Sequence, residues 1–538
     1  MKDAGEDLQA LKKSDVPSRY ERLSSVRWTY LDRARDCSKL TIPAIFPPDG
    51  HTPETKFYRP YQSIGARGVN NLANKLLLSL LPPNTSFFKL SADDATIAEL
   101  SDETARARVE EKFNEIERAV QTRVETMALR APLITALKEL IIGGNTLVVF
   151  PKNGGVRIIG LENYVVRRNN VGEVLEVIYK ESARYEDLPE DVRRICKGNN
   201  DLPSSDNDNG RKEVDIYTVY ELTDGQYKTY QVVKNFVIPD TTGAYPKAKA
   251  PFIALRWAHE DNSDYGRSYV EEYIGDLQSA EGLSKAILES SAAAAKVVIM
   301  VRSTGTTEED DVANAENLDV ITGDEADVSM LQLNKQADMQ VANGVLNDIL
   351  QRLSYAFLMN TAVQRNAERV TAEEIREMIK ELEDALGGAY ALFAQELQLP
   401  LVKIVMNELV KEQRIPDLEG LKKQGIEVEP QITTGVEAIG RGYDLGKLRT
   451  FMGEFIAPLG EVGMAEINYG DFLKRAGTAL GIDMDGLVKS EEQKTQEREA
   501  TAQQQQQALI QQTMADAAKQ ASGPVAKAVT EQGTQANG

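Results

Sequence analysis

The chain has 538 residues, with 62 Lys and Arg against 83 Asp and Glu and a formal net charge of −21. Hydrophobic residues make up 42% of it, a globular composition that excludes a largely disordered chain. The acid excess argues against a surface that grips nucleic acid all over, because such binding needs Lys and Arg to displace phosphate counterions. The apolar stretch Leu76–Leu81 ends at Pro82 and Pro83, far short of the ~20 residues that span a bilayer. The opening residues MKDAGED carry no apolar core, so no secretory leader is expected. Two cysteines, Cys37 and Cys196, give no disulfide framework and fit a reducing compartment.

In chain order, the first third reads as helical. Tyr20, Leu23, Tyr30, Ala34 and Cys37 fall near one helix face, as do Val109, Phe113, Ile116, Val120, Val124 and Met127. Gly143-Gly144-Asn145 stops a helix, and from Thr146 to about Ala258 the apolar residues come in short runs: 147–150, 174–179, 232–237 and 252–255. Val214, Ile216, Thr218 and Tyr220 alternate as in a half-buried strand. The polar stretch Asn199–Gly210 reads as a loop. The fold class is therefore α+β, mainly helical, with a β-rich insertion in the first half.

The centre predicts two long helices, about Tyr269–Lys296 and about Gln336–Leu358. Met339, Ala342, Leu346, Ile349, Leu353 and Phe357 form one stripe on the second. Between them lie three β-type runs, Val297–Val301, Leu318–Thr322 and Val328–Leu333. From Ser303 to Asn334 there are nine acids (Glu308, Glu309, Asp310, Asp311, Glu316, Asp319, Asp324, Glu325 and Asp327) and no Lys or Arg. A solvated loop surface and a patch that repels phosphate or docks a basic partner both account for that pattern.

After the second helix comes the polar segment Asn360–Val370, with Arg365 and Arg369. Thr371 and Glu374 then read as a capping box that opens another long helix, with bends at Gly387-Gly388 and Pro400. Taken alone the two arginines are ordinary surface residues; a loop braced between two helices would aim them. Residues 491–538 hold 12 glutamines and are low in complexity.

Catalytic and metal chemistry finds little to work with. His51 and His259 are the only histidines, and His259-Glu260 has no second His to make a zinc-protease helix. Gly266–Val270 lacks the last glycine of a nucleophile elbow. Gly440–Leu448 resembles a phosphate loop, but its first glycine is misplaced and Leu448 stands where a metal-binding hydroxyl belongs. Asp206–Gly210 approaches a calcium loop whose spacing fails at Ile216. No enzyme, cofactor or metal is expected.

Four runs carry a resemblance: residues 61–73 (YQSIGARGVNNLA), 268–273 (SYVEEY), 360–376 (NTAVQRNAERVTAEEIR) and 434–442 (TGVEAIGRG). They resemble the portal, or head-to-tail connector, proteins of short-tailed bacteriophages, over a stretch from about Ser18 to about Gln496. The resemblance implies a homo-oligomeric ring, usually twelve-fold, at one capsid vertex, through which double-stranded DNA enters at packaging and leaves at ejection. It implies a wing over 1–268, containing the β-rich 146–258, then stem helices over 269–296 and 336–358 with a clip (297–335) between them. A tunnel loop (359–371), a long helix and crown (372–490) and a C-terminal tail (491–538) would follow. Expected partners are the terminase packaging motor, a tail adaptor, and capsid and scaffolding proteins, with no membrane. The expected location is the virion, and the host cytoplasm during assembly. Arg365 and Arg369 would then face DNA in the tunnel, and Glu308, Glu309, Asp310, Asp311, Asp324 and Glu325 would form the clip docking surface. In such a ring the acid excess lines a wall that DNA slides past. The competing reading is an oligomeric scaffold or adaptor without a DNA channel. A head-to-tail ring needs heterologous contacts that close.

Overall fold

The computed structural model describes residues 14–82, 87–92, 103–151, 154–190, 192–193, 213–295, 298–331, 336–359, 382, 385–415, 428–432, 450–456, 458 and 472. The chain divides into two compact units, Met1–Ala438 and Ile439–Gly538. In the second unit, Phe451–Ile456 form a π-helical turn. Everything that follows concerns the first.

Helix α1 (Val16–Leu40) starts with Pro17 in its first turn and buries Val16, Tyr20, Leu31, Ala34 and Cys37, close to the face expected. Helix α2 (Ile64–Leu80) buries Ile64, Val69, Leu72, Leu76 and Leu80. Strand β1 (Phe88–Ala92) lies beside α3 (Glu103–Thr126), whose Glu117 Oε1 accepts from the Leu90 amide at 2.7 Å. Helix α4 (Arg130–Gly143) ends at Gly144. There φ is +72°, and a Cβ would lie 2.5 Å from the Arg267 carbonyl carbon, so only glycine meets both demands.

The chain then changes to β structure, as the shift in period requires. Strand β2 (Asn145–Val149) is buried along its whole length, flanked by β3 (Arg157–Ile159) and later by β10 (Phe252–Arg256). A second antiparallel sheet runs β4 (Tyr164–Arg168), β5 (Val174–Arg184), β6 (Glu213–Thr223), β7 (Gln226–Val233) and β8 (Phe236–Val237), with β9 (Gly243–Pro246) on β7. The half-buried reading of residues 214–220 needs correction, because both faces are covered. Tyr217 and Val219 join Val165, Ile178, Val232 and Tyr20 of α1 on one side, and Tyr220 joins Val177, Tyr179 and Tyr227 in the main core.

The long helix expected from Tyr269 is broken. A single turn, α5 (Tyr269–Glu272), is capped by Ser268, whose Oγ accepts the Glu271 amide at 3.0 Å; after Tyr273, α6 (Ile274–Ala294) begins. Strand β11 (Val298–Val301), the short helix α7 (Glu309–Asn314) and strand β12 (Val328–Leu331) follow, then α8 (Gln336–Ala356). Strands β11 and β12 pair antiparallel, but Leu318–Thr322 is not a strand. A turn overrides its β-propensity: the Asp319 amide donates to Glu316 O (3.1 Å), Asp319 Oδ2 accepts the Glu316 amide (2.7 Å), and Leu318 has φ +80°.

The segment Asn360–Val370, with Arg365 and Arg369, and the capping box at Thr371 lie outside the described residues, as do Asn199–Gly210 and 491–538. Beyond them the helix expected to bend at Gly387-Gly388 is instead interrupted: Gly387 (φ +44°) is the N-cap of α9 (Gly388–Phe393). A π turn over Ala394–Gln398 joins it to α10 (Leu399–Lys411), which carries Pro400 in its first turn. Strand β13 (Val428–Ile432) pairs with β1. Among the described residues no helix is long and apolar enough to cross a membrane.

Candidate functional site

Helices α6 and α8 form an antiparallel pair of 21 residues each, about 31 Å long by the helical rise. Antiparallel packing puts the start of α6 beside the end of α8, where Arg352 Nη2 donates to Asp276 Oδ1 at 2.8 Å. At that end Leu277, Ala280, Ile349, Leu353 and Phe357 are buried in the main core. Toward the other end the apolar positions open to solvent: Leu288 is 57% exposed, Val341 69% and Val345 46%. Fully burying such side chains would be worth roughly 1.5–3 kcal/mol each.

The β11–β12 hairpin continues the pair outward and carries the acidic module. Its acids separate into two kinds. Asp327 is buried and structural: its Oδ2 accepts from the Thr306 amide at 2.7 Å, its backbone carbonyl accepts from the Arg302 amide at 2.9 Å, and a side chain on Gly305 would overlap its carboxylate. Thr307, also buried, closes the other end of the loop, its hydroxyl accepting the Asp324 amide at 2.9 Å. Asp324 is exposed, yet one carboxylate oxygen is committed to the Ala326 amide at 2.9 Å. Glu308, Glu309, Asp310, Asp311 and Glu325 are exposed too. Glu309, Asp310 and Asp311 occupy the first turn of α7, where the helix dipole favours negative charge. Leu318 and Val320 stand 93% and 99% exposed in the same module.

The end of α8 is built with unusual care. Leu358 sits in the left-handed region at φ +54°. Its amide donates to Tyr355 O at 3.0 Å, and the Met359 amide reaches back to Ser354 O at 2.8 Å. These two bonds are the Schellman pattern, with leucine where glycine is usual. The carbonyls that a helix end leaves open are taken by side chains from two other helices. Tyr269 of α5 donates its hydroxyl to Ala356 O at 2.6 Å. Asn71 of α2 donates Nδ2 to Phe357 O and Leu358 O, both at 2.9 Å, and Lys75 Nζ donates to Leu358 O at 2.8 Å. Gly68 lets α2 approach: a Cβ there would lie 2.5 Å from Phe357 Cγ. Phe357 packs edge-on against Tyr269, their ring centres 5.9 Å apart.

The same helix pair is tied to the segment before α2. Glu281 of α6, nearly buried, accepts from the Tyr61 amide (3.0 Å), the Gln62 amide (3.2 Å) and the Tyr58 hydroxyl (2.5 Å). Elsewhere, the π turn after α9 presents Glu396 to His259. His259 Nε2 lies 2.8 Å from Glu396 Oε1, and Arg256 Nη2 lies 3.4 Å from His259 Nδ1. Burial lowers the His259 pKa against the pull of Glu396, and Arg256 lowers it further. His259 thus lies between Glu396 and Arg256, each within reach of one ring nitrogen.

Of the residues singled out from sequence, the structure gathers the acids of 308–311, 324 and 325 into the one module beyond the helix pair. Arg365 and Arg369 lie outside the described residues. Asn71, Lys75, Tyr269 and Leu358 were not singled out. Asn71 and Tyr269 lie inside the recognised motifs, but nothing in a helical stripe tells that a lysine is turned inward.

The first unit is a folded body with an antiparallel helix pair whose outer apolar positions are exposed. A family described as "Bacteriophage head to tail connecting protein" matches residues 13–488, and the chain belongs to that family. It is 40% identical over 499 residues to the portal protein of Escherichia phage T7, covering 91% of both chains. It is 39% identical over 482 residues to the portal protein of Enterobacteria phage T3, covering 88% of both. Among solved structures, the neck of an empty gene transfer agent particle overlaps 78% of this chain and 90% of its own at 12% identity, with a TM-score of 0.38. The chain is thus a phage head-to-tail connector, a component of the particle, and its relatives bear the names of structural proteins.

Proposed function

We propose that the chain forms a closed head-to-tail ring whose channel conducts double-stranded DNA during packaging and ejection, and whose outer end docks the packaging motor and then the tail adaptor. In this reading residues up to 268 are the wing, α5, α6 and α8 the stem, and 297–335 the clip. Residues 359–371 are the tunnel loop and 372–490 the long helix and crown. The observation that carries the reading is the end-to-end relationship to two portal proteins. The exposed apolar flank of α6 and α8 supports it, because neighbouring copies in a ring would cover that flank with a heterologous interface repeated around the axis.

Charge supports the passage of DNA in place of tight binding. The excess of acids repels phosphate along the wall. Arg365 and Arg369 supply a small set of phosphate contacts in the loop, too few to hold the duplex firmly since affinity grows with contact number. The exposed acids Glu308–Asp311, Asp324 and Glu325, repeated around a ring, present a multivalent surface to basic segments of the motor and adaptor. Capsid and scaffolding proteins would meet the wing, and assembly would take place in the host cytoplasm. The test of the whole is a top-view image of the purified assembly. A ring with a central hole is expected, with twelve copies the expected number. A stable particle without a hole would overturn the conduit and leave a scaffold or adaptor.

A further inference from the structure

The left-handed leucine at the end of α8 raises a physical question. A glycine in that position stops a helix unaided, since it has no Cβ to clash. A leucine does not, and in isolation it returns to the right-handed region, where the helix would continue past it. Leu358 is 8% exposed and held at φ +54°, so the stop is imposed from outside. The donors that impose it are Asn71 Nδ2, on two consecutive carbonyls, and Lys75 Nζ, on the second of them. The Lys75 side chain is only 5% exposed. An ammonium is costly to bury, and here it is set where the helix dipole ends in negative charge. These bonds are made to carbonyls of a helix end whose Leu358 is left-handed, a conformation that a continuing helix cannot contain.

We propose that Asn71 and Lys75 are positioning residues that hold α8 stopped at Leu358 and so fix where the chain after Met359 begins. The role of that stretch as the channel loop rests on the reading above; the clamp itself does not. Because the stop comes from a tertiary contact and not from the local sequence, a small displacement of α2 relative to α8 frees it. Helix α2 also packs on α4 and, through Gly65, against Leu40 and Leu277. A shift in the body of the subunit would thereby reach the end of α8.

The test is amide hydrogen exchange on the full-length assembled protein. It compares a peptide covering Ser354–Met359 with one covering Gln336–Leu346 in the same sample. Asn71→Leu/Lys75→Met removes the donors at similar volume, and exchange in 354–359 is expected to rise roughly tenfold, the equivalent of ~1.4 kcal/mol. The 336–346 peptide is expected to keep its rate. Lys75→Arg, which still donates, is expected to stay near the parent. Leu358→Gly added to the double variant is expected to restore slow exchange, because glycine makes the stop locally; if Asn71 and Lys75 only packed α2, this further loss of a buried side chain would worsen matters. Parental exchange in the double variant overturns the proposal, as does an equal rise in both peptides or a failure of Leu358→Gly to restore. The measurement involves no DNA. A ring that failed to conduct DNA would leave the clamp standing, and a proper conduit with parental exchange would overturn the clamp alone.

Discussion

Glu139 is the group through which this fold should respond most plainly to pH. It lies on α4 in the main core, 8% exposed, with Thr146 Oγ1 donating to its Oε2 at 2.7 Å. Burial pushes its pKa up to about 7, the Thr146 hydrogen bond opposes the rise, and the Glu162 carboxylate adds to it. The folded chain thus holds a proton that the unfolded chain releases near 4.5. A carboxyl whose folded pKa is raised contributes stability that is fully present below the unfolded value and is lost as pH rises through the folded one. At 1.36 kcal/mol per unit, the loss between pH 5 and pH 8 comes to about 2–3 kcal/mol. Glu139→Gln keeps the shape and an acceptor for Thr146 and does not titrate. Any cost of the new amide hydrogens is independent of pH, so it offsets the comparison without tilting it. Melting temperatures of parent and variant, taken in steps from pH 5 to pH 8, should show the variant gaining on the parent as pH rises, by a few degrees in all. Other titrating groups cancel in the difference. A difference that stays level across this range would show that Glu139 is not held neutral, and the reasoning from burial would fail.

Three further outcomes separate structure from function in the charged segments. Asp327→Asn should loosen the module between β11 and β12, because the buried carboxylate that takes the Thr306 amide is worth roughly 1.5–3 kcal/mol as a charged acceptor; limited proteolysis within 303–327 would report it. Neutralising the exposed set instead (Glu308→Gln, Glu309→Gln, Asp310→Asn, Asp311→Asn) should leave proteolysis unchanged and weaken motor and adaptor binding. Unchanged binding would remove the docking role. Arg365→Ala/Arg369→Ala should leave ring formation intact and lower the DNA retained in filled particles, measured by nuclease sensitivity. Normal packaging and retention would exclude a tunnel role for these arginines.

How far the sequence discloses this fold depends on whether local chemistry or tertiary contact decides each element. Gly144 is legible because one residue satisfies both a left-handed turn and a close approach. The buried face of α1 and the helix pair follow from apolar spacing alone. Leu318–Thr322 misleads because β-branched composition is a weak prior, and the Glu316–Asp319 turn outweighs it. The break at Tyr273 is less plain: the leucines and alanines that favour helix begin only at Leu277, and at the interruption Tyr269 and Tyr273 both pack against Phe357 after the Ser268 cap. Among the acids, spacing gives a uniform patch. The fold divides it into Asp327, buried and holding the module together, and acids exposed to solvent, of which Asp319 and Asp324 also accept local backbone amides.

The recognisable motifs and the clamp at Leu358 bear on each other. Residues 61–73 contribute Gly68 under Phe357 and Asn71 on the Phe357 and Leu358 carbonyls. Residues 268–273 contribute the Ser268 cap and the Tyr269 hydroxyl on Ala356. Residues 360–376 begin directly after Met359. Three runs far apart in the chain thus meet at the end of one helix or continue from it in sequence. A glycine at 358 would make the same stop locally, whereas here the donors come from α2 and α5. The stop therefore answers to where α2 and α5 sit against α8.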